Sequence, residues 1–158
     1  MKALVLGGVA PHVRLIKNLQ HRGYTVGLAD YYNNPPARAV ADDYFQVSTL
    51  DMEAIYELAK SYEAEVIMAT NVDHANVVMC MVAERLGLPH PYPSEKARLT
   101  TDKGLMKERM RECAIPTSEY LTVCSVEEVP FDMLRYPLVV KPVDNNGSKG
   151  VKRGDTKE

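Results

Sequence analysis

The apolar run Ala3-Leu4-Val5-Leu6 is short, does not alternate, and is ended by Gly7-Gly8. A strand with water on one face alternates apolar and polar residues. A strand covered on both faces does not, so this run predicts a buried strand of a parallel sheet. The next segment puts Val13, Leu15, Ile16 and Leu19 on one side and Arg14, Lys17, Asn18 and Gln20 on the other. That is an amphipathic helix, and Gly23 closes it. Val26-Gly27-Leu28-Ala29 reads as a second strand ending at Asp30. Strand, helix and strand within about 30 residues make one βαβ unit.

The pattern repeats further on. Residues 31–43 are expected to be loop, with Asn33-Asn34-Pro35-Pro36 as the strongest breaker. Tyr44-Phe45-Gln46-Val47 is a short strand. Asp51 caps a helix carrying Met52, Ile55, Tyr56, Ala59 and Tyr62 at helical spacing. Val66-Ile67-Met68-Ala69 is another buried strand. Ala75, Val78, Met79, Val82 and Leu86 mark a helix closed by Gly87, with its methionines as core filler. Pro89, Pro91 and Pro93 then stiffen the chain, and the domain boundary is placed near residue 93. The fold class for residues 1–93 is α/β, a Rossmann-like, doubly wound parallel sheet.

Residues 94–158 have a different rhythm. Ser94 is expected to cap a short helix, and a second helix over 101–113 places Leu105, Met106, Met110 and Cys113 on one face. Thr117–Val123 reads as extended. Ser125-Val126-Glu127-Glu128 matches a capping box for a short helix that Pro130 stops. Leu138-Val139-Val140 is a strand. The last seven residues, Lys152–Glu158, are polar and are expected to complete no sheet.

Composition removes several functions. Nineteen Lys and Arg stand against 21 Asp and Glu, a net charge of −2. Nothing there favours a nucleic-acid partner. Cys80, Cys113 and Cys124 form no regular spacing, which argues against a disulfide scaffold or a zinc site. No run approaches the ~18 apolar residues of a membrane span. The N-terminus enters a strand at once and carries no cleavable signal pattern, so the expected location is the cytoplasm, with no membrane partner.

Candidate sites fall at strand ends, where an open α/β sheet binds its ligands. Gly7-Gly8-Val9-Ala10-Pro11-His12 invites a dinucleotide reading, with Asp30 as the acid about 20 residues on. Val9 and His12 replace the second and third glycines of that fingerprint, however. A tight turn without ligand and a contact with a small substrate remain the alternatives. Thr70 and Asn71 lie at another strand end, and Asn71 or Asp73 is expected to cap the following helix. The substrate-contact candidates are therefore Gly7, Gly8, Asp30, Asn71 and Asp73; no catalytic residue is assigned.

The sharpest pattern is Tyr136-Pro137-Leu138-Val139-Val140-Lys141-Pro142-Val143-Asp144-Asn145-Asn146-Gly147-Ser148-Lys149-Gly150-Val151. A glycine-containing loop after a strand can turn its backbone N–H groups onto phosphates. Lys141 and Lys149 would add the positive charge that a triphosphate needs. The loop is not a Walker A sequence, and by itself it would read equally as a hairpin with solvated lysines.

Upstream stand Thr101-Asp102-Lys103-Gly104-Leu105-Met106-Lys107-Glu108 and Ala114-Ile115-Pro116-Thr117. In that order and spacing the whole chain resembles the ATP-grasp superfamily, specifically its carbamoyl-phosphate-synthetase-like carboxylate–amine ligases. The resemblance implies a pre-ATP-grasp Rossmann-like domain over 1–93 and the start of an α+β ATP-grasp domain over 94–158. It implies that Lys141 contacts nucleotide phosphates and that Lys103 reaches them from the preceding helix. It implies that Asn145, Asn146, Gly147, Ser148, Lys149 and Gly150 form the mobile loop over the β- and γ-phosphates. The implied cofactors are ATP with Mg2+ or Mn2+, and the implied substrates are a small carboxylate and an amine joined through an acyl phosphate. The family's adenine-binding hinge and acidic metal ligands lie in a later region that has no counterpart before Glu158. The chain is therefore expected to be an N-terminal fragment with no metal ligands of its own and no turnover. Its incomplete subdomain leaves a sheet edge and apolar surface open to self-association. The competing readings are a stand-alone Rossmann-like binding module and one half of a split ligase.

Overall fold

The protein is described from a computed structural model, which covers residues 1–145 and 147–156. The chain divides into two compact units, Met1–Arg98 and Leu99–Glu158.

The first unit runs β1 (Lys2–Leu6), α1 (Ala10–His21), β2 (Thr25–Asp30), β3 (Asp43–Gln46), α2 (Met52–Ser61), β4 (Val66–Ala69) and α3 (Asp73–Leu86). Its strands pair in the order β3-β2-β1-β4, all parallel. Along β1 the faces alternate even though the composition does not. Leu4 and Leu6 pack with Ile55 and Ala59 of α2, Ile67 of β4 and Val78 and Val82 of α3. Ala3 and Val5 pack with Ile16 and Leu19 of α1, Val26 and Leu28 of β2, and Ala37. Both faces are covered, which is why β1 reads as a continuous apolar run. Each fully buried Leu or Ile of this sheet contributes about 1.5–3 kcal/mol through removal from water.

Local signals end these elements where the sequence predicts. The Asp51 carboxylate accepts the Ala54 N–H at 3.0 Å and starts α2. Gly87 closes α3 in the left-handed region at φ 67°. Other expectations fail. The 31–43 segment is not plain loop, because Pro36–Val40 forms a 3-10 turn that buries Ala37 beside α1. Neither Asn71 nor Asp73 caps α3. The N-cap is Val72, which has no side-chain cap, and the Asn71 amide donates instead to Thr70 Oγ1 at 2.8 Å. The boundary between the two units falls inside α4 (Ser94–Thr101). Ser94 donates both its N–H and its hydroxyl to Glu84, at 2.8 and 2.6 Å. Those two bonds hold the Glu84 carboxyl below its usual range.

In the second unit, α5 (Lys103–Glu112) begins where the Asp102 carboxylate accepts the Leu105 N–H at 2.9 Å. It buries none of its residues. Thr117–Val123 pairs with no strand among the described residues. Ser125 does not close a capping box. Val126–Glu128 is a 3-10 turn, and the Glu128 carboxylate accepts the N–H of Cys124, one residue before Ser125. β5 (Leu138–Val140) and β6 (Lys152–Gly154) form an antiparallel pair, with Val139 opposite Arg153. The polar tail thus does complete a small sheet. A ladder is made by backbone N–H and C=O groups, so polar side chains facing water do not prevent it. Among the described residues, no helix is long and apolar enough to cross a membrane.

Candidate functional site

Sheet topology selects one place in the first unit. From β1 the chain winds outward through β2 to β3, then returns to β4 on the other side of β1. The strand order therefore reverses between β1 and β4, and the crevice beyond their carboxyl ends is where an open α/β sheet holds ligands. Leu6 lies opposite Ala29 and Ala69. Gly7-Gly8, Asp30 and Thr70-Asn71 consequently follow three neighbouring strand ends. Asp73 is exposed in the first turn of α3.

The bonds at this edge define what each group is free to do. Gly7 sits at φ 95°, a region that L side chains rarely adopt, and donates its N–H to Ala29 O at 2.8 Å. Gly8 donates its N–H to Asp30 Oδ2 at 2.6 Å, and its carbonyl accepts from Ala37 N at 2.9 Å. Asp30 Oδ1 accepts the Tyr32 N–H at 2.7 Å. Buried Asp30 thus spends both oxygens on backbone donors, charge-assisted bonds that lock two loops together. Pro35 packs so closely on Gly8 that a Cβ there would fall 2.5 Å from the proline ring. His12 fills the position of the third fingerprint glycine and is fully buried. A dinucleotide cradle, which needs a free backbone approach and an acid available to a ribose, is not assembled here.

The second unit brings together residues that are far apart in sequence. The Lys103 N–H donates to Val143 O at 3.1 Å. Its Nζ donates to Val143 O at 3.4 Å and to Asn145 O. The lysine at the start of α5 is thus anchored on the segment that leads from β5 into the glycine loop. Lys141 directly follows β5 and is exposed, as is Lys149. Gly147, Ser148 and Gly150 all have positive φ, at 61°, 58° and 74°. A Cβ on Gly150 would also meet the Pro142 ring at 2.9 Å. A left-handed serine between two glycines is a costly backbone choice and marks a constrained turn. Asn146 lies outside the described residues.

The sequence reading missed Lys107. Its Nζ donates to Thr117 Oγ1 and to Ser118 Oγ, the latter at 2.7 Å, and lies 5.6 Å from the Tyr120 ring centroid. It ties Thr117 and Ser118 to α5, and those two residues line an open groove of about 910 Å3 with Gly104, Leu105, Ile115 and Val143. Only its place one helical turn after Lys103 could have flagged it. Among the described residues, no three or more His, Cys, Asp or Glu side chains lie together as a metal-ligand set.

Relatives of known activity align along nearly the whole chain. It is 28% identical over 156 residues to the phosphoribosylamine–glycine ligase of Pyrococcus abyssi, covering 96% of this chain and 36% of that protein. It is 30% identical over 152 residues to the formate-dependent phosphoribosylglycinamide formyltransferase of Psychromonas ingrahamii, covering 94% and 38%. Among solved structures, the carboxyaminoimidazole ribonucleotide synthase of Aspergillus clavatus, complexed with ATP, has a TM-score of 0.79 at 24% identity, covering 99% of this chain and 41% of that one. The chain therefore spans well under half the length of the proteins it matches. No family model matches it. Over the N-terminal part that it shares with these proteins, the chain is similar to ATP-grasp carboxylate–amine ligases.

Proposed function

We propose that the chain is the N-terminal portion of an ATP-dependent carboxylate–amine ligase and does not turn over by itself. A carboxylate oxygen of the substrate attacks the γ-phosphorus of ATP and ADP leaves; the amine then attacks the acyl carbon and phosphate leaves. Lys141 and Lys103 neutralise phosphate charge, and Asn145, Asn146, Gly147, Ser148, Lys149 and Gly150 close over the β- and γ-phosphates. Preorganised cations and amides at the migrating charge are the main source of acceleration in such chemistry. Gly7, Gly8, Asn71 and Asp73 border the carboxylate substrate in the first unit, with Asp30 bracing their turn.

The observation that carries this reading is the attachment of Lys103 to the carbonyls of Val143 and Asn145. It joins the start of α5 to the base of the glycine loop, two places that the family resemblance assigns to one phosphate site. Mg2+ or Mn2+ supplies charge neutralisation at the phosphate oxygens when bound. The family resemblance assigns its ligands to the later region of such ligases. The reaction is placed in the cytoplasm, on small-molecule substrates.

The first test is the intact mass of the native protein in its source cells. A mass well above 17.6 kDa supports a longer ligase. A mass of 17.6 kDa overturns it in favour of a split half or a binding module. In the longer protein, Lys141→Ala is expected to lower kcat/KM for ATP by roughly 100-fold or more. Unchanged nucleotide affinity and rate would remove Lys141 from the phosphate site.

A further inference from the structure

His12 is the feature of the first unit that the proposed chemistry leaves unused. Among the described residues, its Nδ1 and Nε2 are the buried side-chain nitrogens and oxygens that lack a hydrogen-bond partner. The ring lies under the β1–α1 turn. A Cβ at Gly7 would stand 3.3 Å from its Cε1 and 3.7 Å from its Nε2, and 3.5 Å from Val72 Cγ2. The imidazole thus fills the gap between the turn after β1 and the entry to α3. Proteins rarely leave both nitrogens of a buried imidazole unpaired.

We propose that His12 is a positioning residue whose neutral ring wedges the Gly7-Gly8 turn in place and whose protonation releases that turn. Its place in substrate binding rests on the reading that this turn borders the substrate. The wedge itself stands on the packing just described. His12 is the third residue of α1, at the positive end of the helix dipole, where a cation is disfavoured. Burial disfavours the charged form further and outweighs the opposing influences, so the ring's pKa is lowered from 6.5. The opposing influences are the Val9 and Thr70 backbone groups and the charge of Asp30 on β2. On the β4–α3 side the nearest titratable residues in sequence are Asp73 and His74, each already engaged in an interaction. Gly7 and Val72 meet the ring without titratable groups. A proton added to His12 therefore creates a buried cation for which the Val9 and Thr70 backbone groups and the charge of Asp30 do not offset the loss of water, and the least costly relief is for the ring to swing out and the turn to open.

The amides of Gly7 and Gly8 report on this directly, because both are hydrogen-bonded in the closed turn. The experiment uses the 158-residue chain and follows amide exchange and the His12 ring signal by NMR from about pH 8 to about pH 5. The expected result is a fall of about 10-fold or more in Gly7 and Gly8 protection factors, with the midpoint of the His12 titration, below 6.5. The amides in the middle of β1 keep their protection. His12→Phe keeps an apolar wedge that cannot titrate and is expected to make the protection of both glycines independent of pH. Should it fail to fold, His12→Asn serves as the second non-titrating variant, and the wild-type titration decides independently. Loss of protection with the same midpoint in a folded non-titrating variant would overturn the proposal. So would a His12 titration that leaves both glycine amides unmoved. These readouts need no ligand. If the turn proved to have no role in substrate affinity they would be unaffected, and if the wedge failed the substrate reading would still stand.

Discussion

The two units solve the same problem to different degrees. In the first, the buried hydrophobic residues come from both faces of a four-stranded sheet, and Leu4, Val5, Leu6, Ile16, Val26 and Leu28 are wholly inaccessible. In the second, Val139 and Val140 of a two-stranded sheet are 61% and 60% exposed, and α5 buries nothing. The first has a core of its own; the second has regular backbone with little core beneath it. Hydrogen-bonded secondary structure does not by itself stabilise a domain, because isolated two-stranded sheets are marginal in water without packing on one face.

That contrast can be broken by mutation. Leu4→Ala is expected to cost about 2–5 kcal/mol of stability in urea denaturation, because it opens a cavity beneath both α2 and α3. The matching truncation Val140→Ala should cost less than about 0.5 kcal/mol. Equal losses would mean that the second unit has a core of comparable density. Gly8→Ala is next, at about 1–3 kcal/mol, since its Cβ would overlap the buried Pro35 ring. A neutral result would show that the Pro35 segment yields freely.

Tyr62→Phe tests the polar lining of the first core. The Tyr62 hydroxyl donates to Asp43 Oδ2 at 3.0 Å, and burial followed by that carboxylate pushes its pKa well above 10. The phenol stays protonated in the folded protein while the unfolded chain ionises near 10. Its contribution is therefore fully present below pH 10 and is lost as pH rises above it. The variant should lose about 1 kcal/mol at neutral pH and show a shallower alkaline decline in stability. An unchanged alkaline profile would exclude Tyr62 as its source. Arg85→Ala should change stability little in the same denaturation assay, because exposed ion pairs are screened by water. Arg85 pairs with both Glu53 oxygens at 2.7 and 2.8 Å and lies over the Tyr56 ring at 3.7 Å, but the pair is on the surface. High salt should erase the ion-pair share and leave the stacking share.

Much of the first unit was legible because its signals are local. The apolar runs of β1 and β4, the helical spacing of α2 and α3, and the Asp51 cap each depend on residues within a few positions of one another. The failures have separate causes. Asn71 has the chemistry of a cap but turns to Thr70, its immediate neighbour. Ser94 has that chemistry too but gives its hydroxyl to Glu84. Lys152–Gly154 looks like a polar tail but pairs with β5 through backbone groups that composition does not reveal. At the sites, Gly8 and Asp30 were named from the sequence, and Lys103 and Asn145 from the family resemblance, without the bonds that each makes within the fold. Asp30 looks like a ribose ligand and instead braces the turn.

By itself, then, the sequence determined the elements and their alternation, the covered nature of β1, and the glycine-loop pattern after β5, because periodicity and capping are set by neighbours along the chain. Only the tertiary structure decided the strand order β3-β2-β1-β4, and with it the position of the switch point. It also closed Asp30 on Gly8 across 22 positions and Lys103 on Asn145 across 42. His12 was turned from a helix-start residue into a buried wedge in the same way. These outcomes depend on which distant groups folding brings within bonding distance and which it removes from water, and no local pattern carries that information.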